Sequence, residues 1–323
     1  MSTSTLESPP TPSLVGRTAS ASSAARLQVS VVIPAYKAAA TIRRAIDSVL
    51  AQTSRADEII VVDDDSPEDH GPALESYGSK VTYIRQPRGG AAAARNRGIA
   101  AATGDLIAFL DADDEWTPTK LAECQAVFAR HPGVGVVASR YVLRDDCGLP
   151  DETAGPKPEW CGRPVKVAGG ELLDFAKATS TPTVVARREW LAGDRFDTTL
   201  TTAEDRDLWL RLLCRGDAYF VESPQCIVHV RSDSLSNGNV DVDCRCMLRV
   251  IERYQSRIGR LNAFREKSYV HYRWSLGLPA GWQALKHWAL SALLWPLPYS
   301  SRRVRSRLAR PRALLSIVRR AVG

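Results

Sequence analysis

The feature that most constrains the fold is a series of short apolar runs that alternate with helical segments. Four runs have the length and β-branched content of buried strands; they lie at residues 29–33, 58–62, 81–84 and 106–110. Residues 39–51 place apolar side chains on one helical face, and the alanine-rich residues 91–102 also predict a helix. Strands and helices that alternate in this way predict an α/β fold with a mainly parallel sheet flanked by helices.

The alternation loosens after Trp116. We expect helices at residues 120–129 and 203–213, strands at 134–139 and 183–186, a long loop at 143–168, and helices from about residue 240 onward. Three divisions follow: a disordered Ser-, Thr-, Ala- and Pro-rich segment at 1–27, a catalytic domain at 28–240, and a helical C-terminal extension with a basic tail at 241–323.

Polar clusters follow each of the four predicted strands. This position matters because ligands of open α/β sheets bind beyond the carboxyl ends of the strands. The clusters are Pro34-Ala35-Tyr36, Asp63-Asp64-Asp65-Ser66, Arg88-Gly89-Gly90 leading to Arg95, and Asp111-Ala112-Asp113-Asp114. Alone, each also fits a solvated turn, an acidic loop or a glycine-containing loop.

The chemistry of these clusters suits a nucleotide and a cation. The aspartates after the second strand can accept hydrogen bonds from ribose hydroxyls or a base, and the Gly89-Gly90 pair before a helix allows a phosphate to approach the backbone. Asp111 and Asp113 leave an extended chain on the same side, and paired carboxylates suit Mg²⁺ or Mn²⁺.

A fifth acidic element opens the predicted helix at 203–213. Glu204 and Asp205 complement the helix dipole, and a carboxylate at a helix start can also point into a cleft and take a proton. Both interpretations stay open at this stage.

Together these pieces resemble the family 2 glycosyltransferases, which have the GT-A fold. The resemblance covers roughly residues 28–240 and rests on six segments in order: VSVVIPAYKAAATIRRAIDSVLAQT, DEIIVVDDDSPED, RQPRGGAAAARNRGI, GDLIAFLDADDEW, GDRFDTTL and AEDRDLWLRL. The sequence departs from the family in two places. At the turn, relatives usually have Gly where this chain has Asp65. The second place is the region of His229 and Arg231, and the resemblance assigns neither residue a contact with metal or phosphate.

The resemblance implies a role for each matching residue. It places Pro34, Tyr36, Asp63 and Asp64 around the nucleoside, Arg95 near the pyrophosphate, Asp111 and Asp113 in a DxD motif with Asp113 as the more direct metal ligand, Asp205 as general base, and Glu204 as a neighbouring acceptor or orienting group. Trp116 and Trp209 would shape the donor and acceptor pockets, with simple core packing as the alternative, and Asp207 would be structural.

The implied activity is metal-dependent, inverting transfer of a single sugar, of hexosyl or related type, from a nucleoside diphosphate sugar to an acceptor hydroxyl. We expect a role in cell-surface polysaccharide or glycan biosynthesis, with a glycan or lipid-linked acceptor. The QxxRW motif of processive synthases is absent from the sequence, which favours single additions. The alternative is a nucleotide-sugar-binding protein without catalysis, which would have little reason to keep a carboxylate at position 205.

The net charge of +7 resides in the C-terminal tail, because residues 300–323 hold eight arginines and no acidic residue. An apolar segment with tryptophans at 288 and 295 precedes four of these arginines, which suits peripheral contact with an anionic membrane. The alternatives are a solvated, partly disordered end and a helix packed on the catalytic domain. No segment is apolar enough for a transmembrane helix, and no nucleic-acid motif is present. Seven irregularly spaced cysteines predict free thiols, so we expect a cytoplasmic protein, peripheral at the inner face of the membrane.

Overall fold

A computed structural model describes residues 26–145, 151–230, 239–297 and 309–322. Ten strands in these residues join one sheet: β1 (Val29–Ala35), β2 (Glu58–Asp64), β3 (Thr82–Gln86), β4 (Leu106–Phe109), β5 (Glu115–Trp116), β6 (Val134–Asp145), β7 (Glu152–Ala154), β8 (Pro164–Val165), β9 (Val185–Arg187) and β10 (Asp217–Val230).

Eleven α-helices surround the sheet in the same described residues. They are α1 (Ile42–Leu50), α2 (Gly71–Leu74), α3 (Gly90–Ala101), α4 (Lys120–Arg130), α5 (Glu171–Ala178), α6 (Arg188–Leu191), α7 (Glu204–Leu213), α8 (Val240–Ile258), α9 (Arg260–Gly277), α10 (Trp282–Leu294) and α11 (Ala309–Val322). No helix in the described part of the chain is long and apolar enough to cross a bilayer.

The sheet is mainly parallel, as the sequence predicts. Its strand order is β3-β2-β1-β4-β9-β6-β10-β5, with β7 beside β6 and β8 beside β10. The β1–β2, β1–β4, β2–β3 and β6–β10 pairs are parallel, whereas β9 and β5 run antiparallel to their neighbours. The carboxyl ends of the first four strands therefore lie at one edge of the sheet.

Apolar side chains on both faces of the strands form two cores. In β1, Val32 joins the core beneath α3, α5, α7 and α8, while Val31 and Ile33 point to the opposite face and pack with α1 and α4. This double burial explains why the strands read as continuous apolar runs rather than alternating ones. Helix α3 approaches β1 so closely that a Cβ on Gly98 would lie 2.3 Å from the Val32 side chain.

Most predicted elements are confirmed, with two additions. The long loop predicted at 143–168 contains the short strands β7 and β8, and its residues 146–150 lie outside the described residues. Helix α5 and strand β10 were not predicted, although β10 provides the parallel partner of β6. The predicted disorder of residues 1–27 falls almost entirely on residues that the structure does not describe.

The C-terminal helices share a core with the sheet. Cys244, Met247 and Ile251 of α8 and Val270 of α9 belong to the same buried cluster as Phe109. The six cysteines in the described residues are all free, as expected. The predicted boundary near residue 240 thus separates regions that pack against each other, and its status as a domain boundary stays a prediction.

Candidate active site

The register of the parallel strands brings the predicted clusters to one edge. Ala35 pairs with Asp63, Asp64 pairs with Gln86, and Val32 pairs with Phe109. The residues that follow these positions therefore emerge side by side, which is the position of ligand sites in open α/β sheets.

Arg95 joins the DxD motif to the downstream acidic pair. Its Nη2 donates to Asp111 Oδ1 at 2.8 Å, and its Nη1 donates to Glu204 Oε1 at 2.8 Å. The Arg95 side chain is only 7% exposed. Burial would lower the pKa of its guanidinium, but the charges of Asp111 and Glu204 outweigh burial and raise it. One cation thus holds together two carboxylates that are distant in sequence.

This bridging position bears on the role predicted for Arg95 near the pyrophosphate, which stays a prediction. Both of its terminal nitrogens are engaged with carboxylates, and its Nε is buried without a hydrogen-bond partner. In this geometry Arg95 organises the acidic residues rather than presenting a free edge to a pyrophosphate.

The turn that carries the DxD motif concentrates negative charge. Asp114 is 3% exposed, and its Oδ1 accepts a hydrogen bond from the backbone N–H of His229 at 3.0 Å. Burial first, and then the charges of Asp111 and Asp113, raise the pKa of Asp114 well above its ordinary value. Arg44 of α1 donates to the backbone carbonyl of Asp113 and partly offsets this charge.

The charge excess and the hard oxygen donors of this turn suit a divalent cation. Within the described residues, however, no group of three or more His, Cys, Asp or Glu side chains is arranged to hold a metal ion. The geometry therefore offers Asp111 and Asp113 as two candidate ligands and no complete site.

The acidic pair lies at the start of α7, after an unusual residue. Ala203, which precedes Glu204, has a φ of 61°, a left-handed conformation that is costly for a residue with a Cβ. Such strain is frequent at functional sites. Burial first, and then repulsion from Asp205, raise the pKa of Glu204 against the lowering effect of Arg95.

Asp205 is held by two neighbouring donors. The backbone N–H of Arg206 donates to its Oδ1 at 2.7 Å, and the Thr181 hydroxyl lies 3.4 Å from its Oδ2. Asp205 also interacts electrostatically with Arg95 and Glu204. Through Arg95, the structure places Asp111, Glu204 and Asp205 in one site.

Asp64 occupies the start of α3, where a phosphate was expected. Its Oδ1 accepts from the backbone N–H of Gly89 at 2.8 Å and its Oδ2 accepts from that of Gly90 at 2.7 Å. Gln86 also donates to Oδ1. A carboxylate of the chain itself thus satisfies the helix amides, and the phosphate position predicted at Gly89-Gly90 is corrected.

Asp63 braces the turn after β2. It is fully buried, and it accepts hydrogen bonds from the Ser66 backbone N–H and the Tyr83 hydroxyl, at 3.0 and 2.7 Å. Burial would raise the pKa of Asp63, but the hydrogen bonds from Ser66 and Tyr83 lower it. With both oxygens engaged and no exposed surface, Asp63 stabilises the turn that carries Asp64, and its predicted place near the nucleoside stays a prediction.

Tyr36 offers an exposed aromatic face beside the strand ends. It is 39% exposed, and the Arg88 guanidinium lies 3.1 Å from its ring centroid. Arg88 also lies 3.4 Å from Asp64 Oδ2. Pro34 is half-buried near the end of β1, and Tyr36 directly follows that strand. Arg88 therefore connects exposed Tyr36 with buried Asp64 at the predicted nucleoside position.

Both tryptophans lie in the core, the alternative left open by the sequence. Trp209 is 1% exposed and packs against Phe109 and Phe196. Trp116 is 4% exposed, and its Nε1 donates to the Pro182 carbonyl at 2.7 Å. Their predicted contacts with ligand pockets are not seen in this geometry.

Three further residues singled out in the sequence are Asp207, His229 and Arg231. Asp207 is structural: it is fully buried and ion-paired with Arg253 and Arg211. His229 lies next to the DxD turn, with its Nε2 3.0 Å from Glu115 Oε1. Arg231 lies outside the described residues.

The turn at Asp65 retains a left-handed backbone. Asp65 has a φ of 58°, a conformation that glycine adopts freely and that Asp tolerates better than most residues. Together with Lys37 and Ala203, it is one of three non-glycine residues with positive φ in the described chain, and all three border the site.

Sequence reasoning missed Arg44, Thr181 and Tyr83 as site residues. Arg44 and Tyr83 lie in ordinary helical and strand segments, and Thr181 follows α5, so no local pattern marks them. Only the three-dimensional contacts reveal them: Arg44 contacts Asp113, Tyr83 contacts Asp63, and Thr181 contacts Asp205.

Comparison with known proteins shows which family the chain resembles. Residues 30–158 match the model of glycosyl transferase family 2, a range that contains the strand-end clusters and the DxD turn. This part of the chain is similar to glycosyl transferase family 2. The matched segment supplies Arg95 and Asp111, whereas the acidic pair of the site comes from beyond it.

Curated relatives match part of this chain. An uncharacterised glycosyltransferase of Nostoc is 39% identical over 41% of this chain and 42% of its own. The amylovoran biosynthesis glycosyltransferase AmsB of Erwinia amylovora is 32% identical over 57% of this chain and 64% of its own. The chain thus spans less than two thirds of these relatives.

Solved structures show the same GT-A fold. The TarS 1–349 fragment of S. aureus in complex with UDP-GlcNAc superposes with a TM-score of 0.62 and 17% identity, over 90% of this chain and 89% of the fragment. The mannosyltransferase PcManGT of Pyrobaculum calidifontis, in complex with GDP-Man and Mn²⁺, gives 0.56 and 19%, over 92% and 81%.

Proposed function

We propose that this protein is an inverting glycosyltransferase that moves a single sugar from a nucleoside diphosphate sugar to an acceptor hydroxyl. The observation that carries the proposal is the Arg95 bridge, which joins Asp111 of the DxD motif to Glu204 beside Asp205. The match of residues 30–158 to glycosyl transferase family 2 and a relative named for amylovoran biosynthesis support a role in making a cell-surface polysaccharide or glycan.

Asp205 is the proposed general base. A single inverting displacement requires a base on the face opposite the nucleotide, where the acceptor hydroxyl attacks. The Arg206 backbone N–H and the Thr181 hydroxyl orient the Asp205 carboxylate. Glu204, held by Arg95, would position the acceptor or the base rather than take the proton itself.

The donor would bind along the ends of β1 to β4. Tyr36 provides an aromatic surface for the nucleobase. Arg88 lies over the Tyr36 ring and also contacts Asp64, so the three side chains are neighbours. UDP-GlcNAc and GDP-Man are both bound in structures of the same fold, so experiment has to identify the nucleobase of the donor.

A divalent cation, Mg²⁺ or Mn²⁺, would be held by Asp113 and Asp111 together with the donor diphosphate. Such ions commonly bind through one or two carboxylates and substrate phosphates. When bound, the ion would stabilise charge on the leaving diphosphate. Asp111 shares one oxygen with Arg95, and the resemblance to the family assigns Asp113 as the more direct metal ligand.

We place the enzyme in the cytoplasm, in peripheral contact with the inner face of the membrane, where a lipid-linked acceptor would be reached.

The proposal is tested by turnover of a panel of nucleotide sugars (UDP-GlcNAc, UDP-Glc, UDP-Gal and GDP-Man) with Mn²⁺. We expect release of the nucleoside diphosphate from at least one donor, and a transfer product whose anomeric configuration is opposite to that of the donor by NMR. Retention of configuration would exclude the inverting mechanism. Tight binding of a donor without turnover, in the presence of acceptor extracts, would instead indicate a non-catalytic nucleotide-sugar-binding protein.

A further inference from the structure

The C-terminal part of the chain is cationic over a long distance. Residues 267–323 contain eleven Lys and Arg residues and no Asp or Glu. This region therefore supplies no carboxylate of its own, and Arg273 pairs with Asp243 of α8, outside the region.

The end of this region is folded against the preceding helices. Helix α11 buries Ala313 and Ile317, which are 2% and 1% exposed. The Trp288 Nε1 donates to the Arg310 carbonyl at 2.9 Å, and Trp295 packs beside Ala313. Both tryptophans that the sequence suggested for membrane contact thus face the protein, and they fix α11 in place.

The opposite side of α11 faces outward and combines apolar and cationic side chains. Leu315 and Val318, three residues apart, are 57% and 46% exposed. Arg312 and Arg319 are exposed beside them, and a shallow groove is lined by Arg312, Leu315, Ser316, Arg319 and Arg320.

Helix α10, which packs against α11, exposes a similar combination. Trp282 is 76% exposed and Leu293 is 81% exposed, with exposed Lys286 between them. These positions recur at helical spacing on the side of α10 away from buried Ala284 and Ser291.

We propose that the outward sides of α10 and α11 form a docking surface for a membrane that contains anionic phospholipids. We name this surface the C-terminal face and define it by Trp282, Leu293, Arg312, Leu315, Val318 and Arg319. Apolar side chains enter the boundary between headgroups and acyl chains, while neighbouring arginines meet lipid phosphates. The absence of acidic residues from 267 to 323 removes the repulsion that such a surface would otherwise experience.

The charge pattern favours a membrane over a second copy of this chain. A symmetric dimer through the C-terminal face would bring arginines close to arginines, because an isologous interface uses the same patch twice. The link to a lipid-linked acceptor rests on the transferase activity proposed above, whereas the docking surface rests only on exposure and charge.

The experiment measures binding of the full chain to sedimented vesicles. We expect binding to vesicles with about one third phosphatidylserine, weak binding to pure phosphatidylcholine, and loss of binding at high salt. The Arg312→Ser/Arg319→Ser double variant should bind about thirty-fold more weakly. The Leu315→Ser/Val318→Ser double variant should lose about tenfold.

Matched controls come from exposed residues outside the face. Arg97→Ser on α3 and Leu50→Ser on α1 should bind vesicles like the wild-type chain, since both side chains are exposed elsewhere. Release of nucleoside diphosphate in solution should be unchanged in all four variants. A chain that binds vesicles but turns over no donor would contradict the proposed function and leave the docking surface standing.

Three results would overturn the proposed surface. They are absence of binding to phosphatidylserine vesicles, equal loss of binding in the control variants, and a dimer in light scattering that the two C-terminal double variants convert to a monomer.

Discussion

Removal of the Arg95 side chain is the sharpest perturbation of the site. Arg95→Met keeps the apolar stem of the residue but leaves Asp111 and Glu204 without their shared cation. The side chains of Asp111 and Glu204 are 27% and 13% exposed, so their charges are only partly solvated. Removing one partner of a buried ion pair costs about 3–5 kcal/mol, and this partial exposure places the expected loss of unfolding free energy at about 3 kcal/mol.

The assay is chemical denaturation followed by tryptophan fluorescence, with a melting curve as a second readout. A loss of about 3 kcal/mol corresponds to a fall in Tm of about 4–6 °C for a chain of this size. The control is Arg97→Gln, two residues along α3, whose exposed side chain should change the unfolding free energy by less than about 0.5 kcal/mol.

A second substitution separates electrostatics from packing. If the destabilisation arises from an uncompensated carboxylate, Glu204→Gln should restore at least half of the loss in the Arg95→Met background. An Arg95→Met variant as stable as the wild type, or a double variant less stable than Arg95→Met alone, would refute the bridging role.

Three further predictions test the local structure. Gly98→Ala should lower the unfolding free energy by about 1–3 kcal/mol because its Cβ would clash with Val32, whereas Gly133→Ala, with open space at the Cβ, should change it little; denaturation curves compare the two. Ala203→Gly should raise the unfolding free energy by about 1 kcal/mol by relieving the left-handed strain, and unchanged or lower stability would contradict the assignment of strain there. Burial would raise the pKa of Asp197, but hydrogen bonds from Thr199 and Arg253 lower it to about 2. The wild type should therefore be more stable than Asp197→Asn by an amount that is complete above the unfolded pKa near 3.8 and disappears as pH falls towards 2. A stability difference that grows on acidification would contradict this prediction.

The sequence was sufficient to predict the sheet edge at which the candidate site lies. Apolar runs of strand length identify β1 to β4, and parallel strands bring their carboxyl ends together without further information. Strand β10 escaped prediction because Glu222-Ser223-Pro224 interrupts its apolar pattern, and the structure absorbs this interruption as register shifts against β6.

The pairing of charged groups was beyond the reach of the sequence. Arg95 and Glu204 are 109 residues apart, and nothing local indicates that one guanidinium serves both Glu204 and Asp111. The start of α3 illustrates the same limit. Glycines before a helix indicate an anion, and only the structure shows that this anion is the carboxylate of Asp64.

The assignment of Asp205 as the general base is the central claim, and the Asp205→Asn variant tests it most directly. The measurement compares kcat for donor turnover with the donor Kd from calorimetry, using Asp174→Asn on α5 as the control. General-base catalysis contributes about 10²–10⁴ in rate, so kcat should fall at least about 100-fold while the donor Kd changes less than about threefold. A variant that retains the wild-type kcat, or one that loses donor binding and turnover together, would contradict the assignment of Asp205.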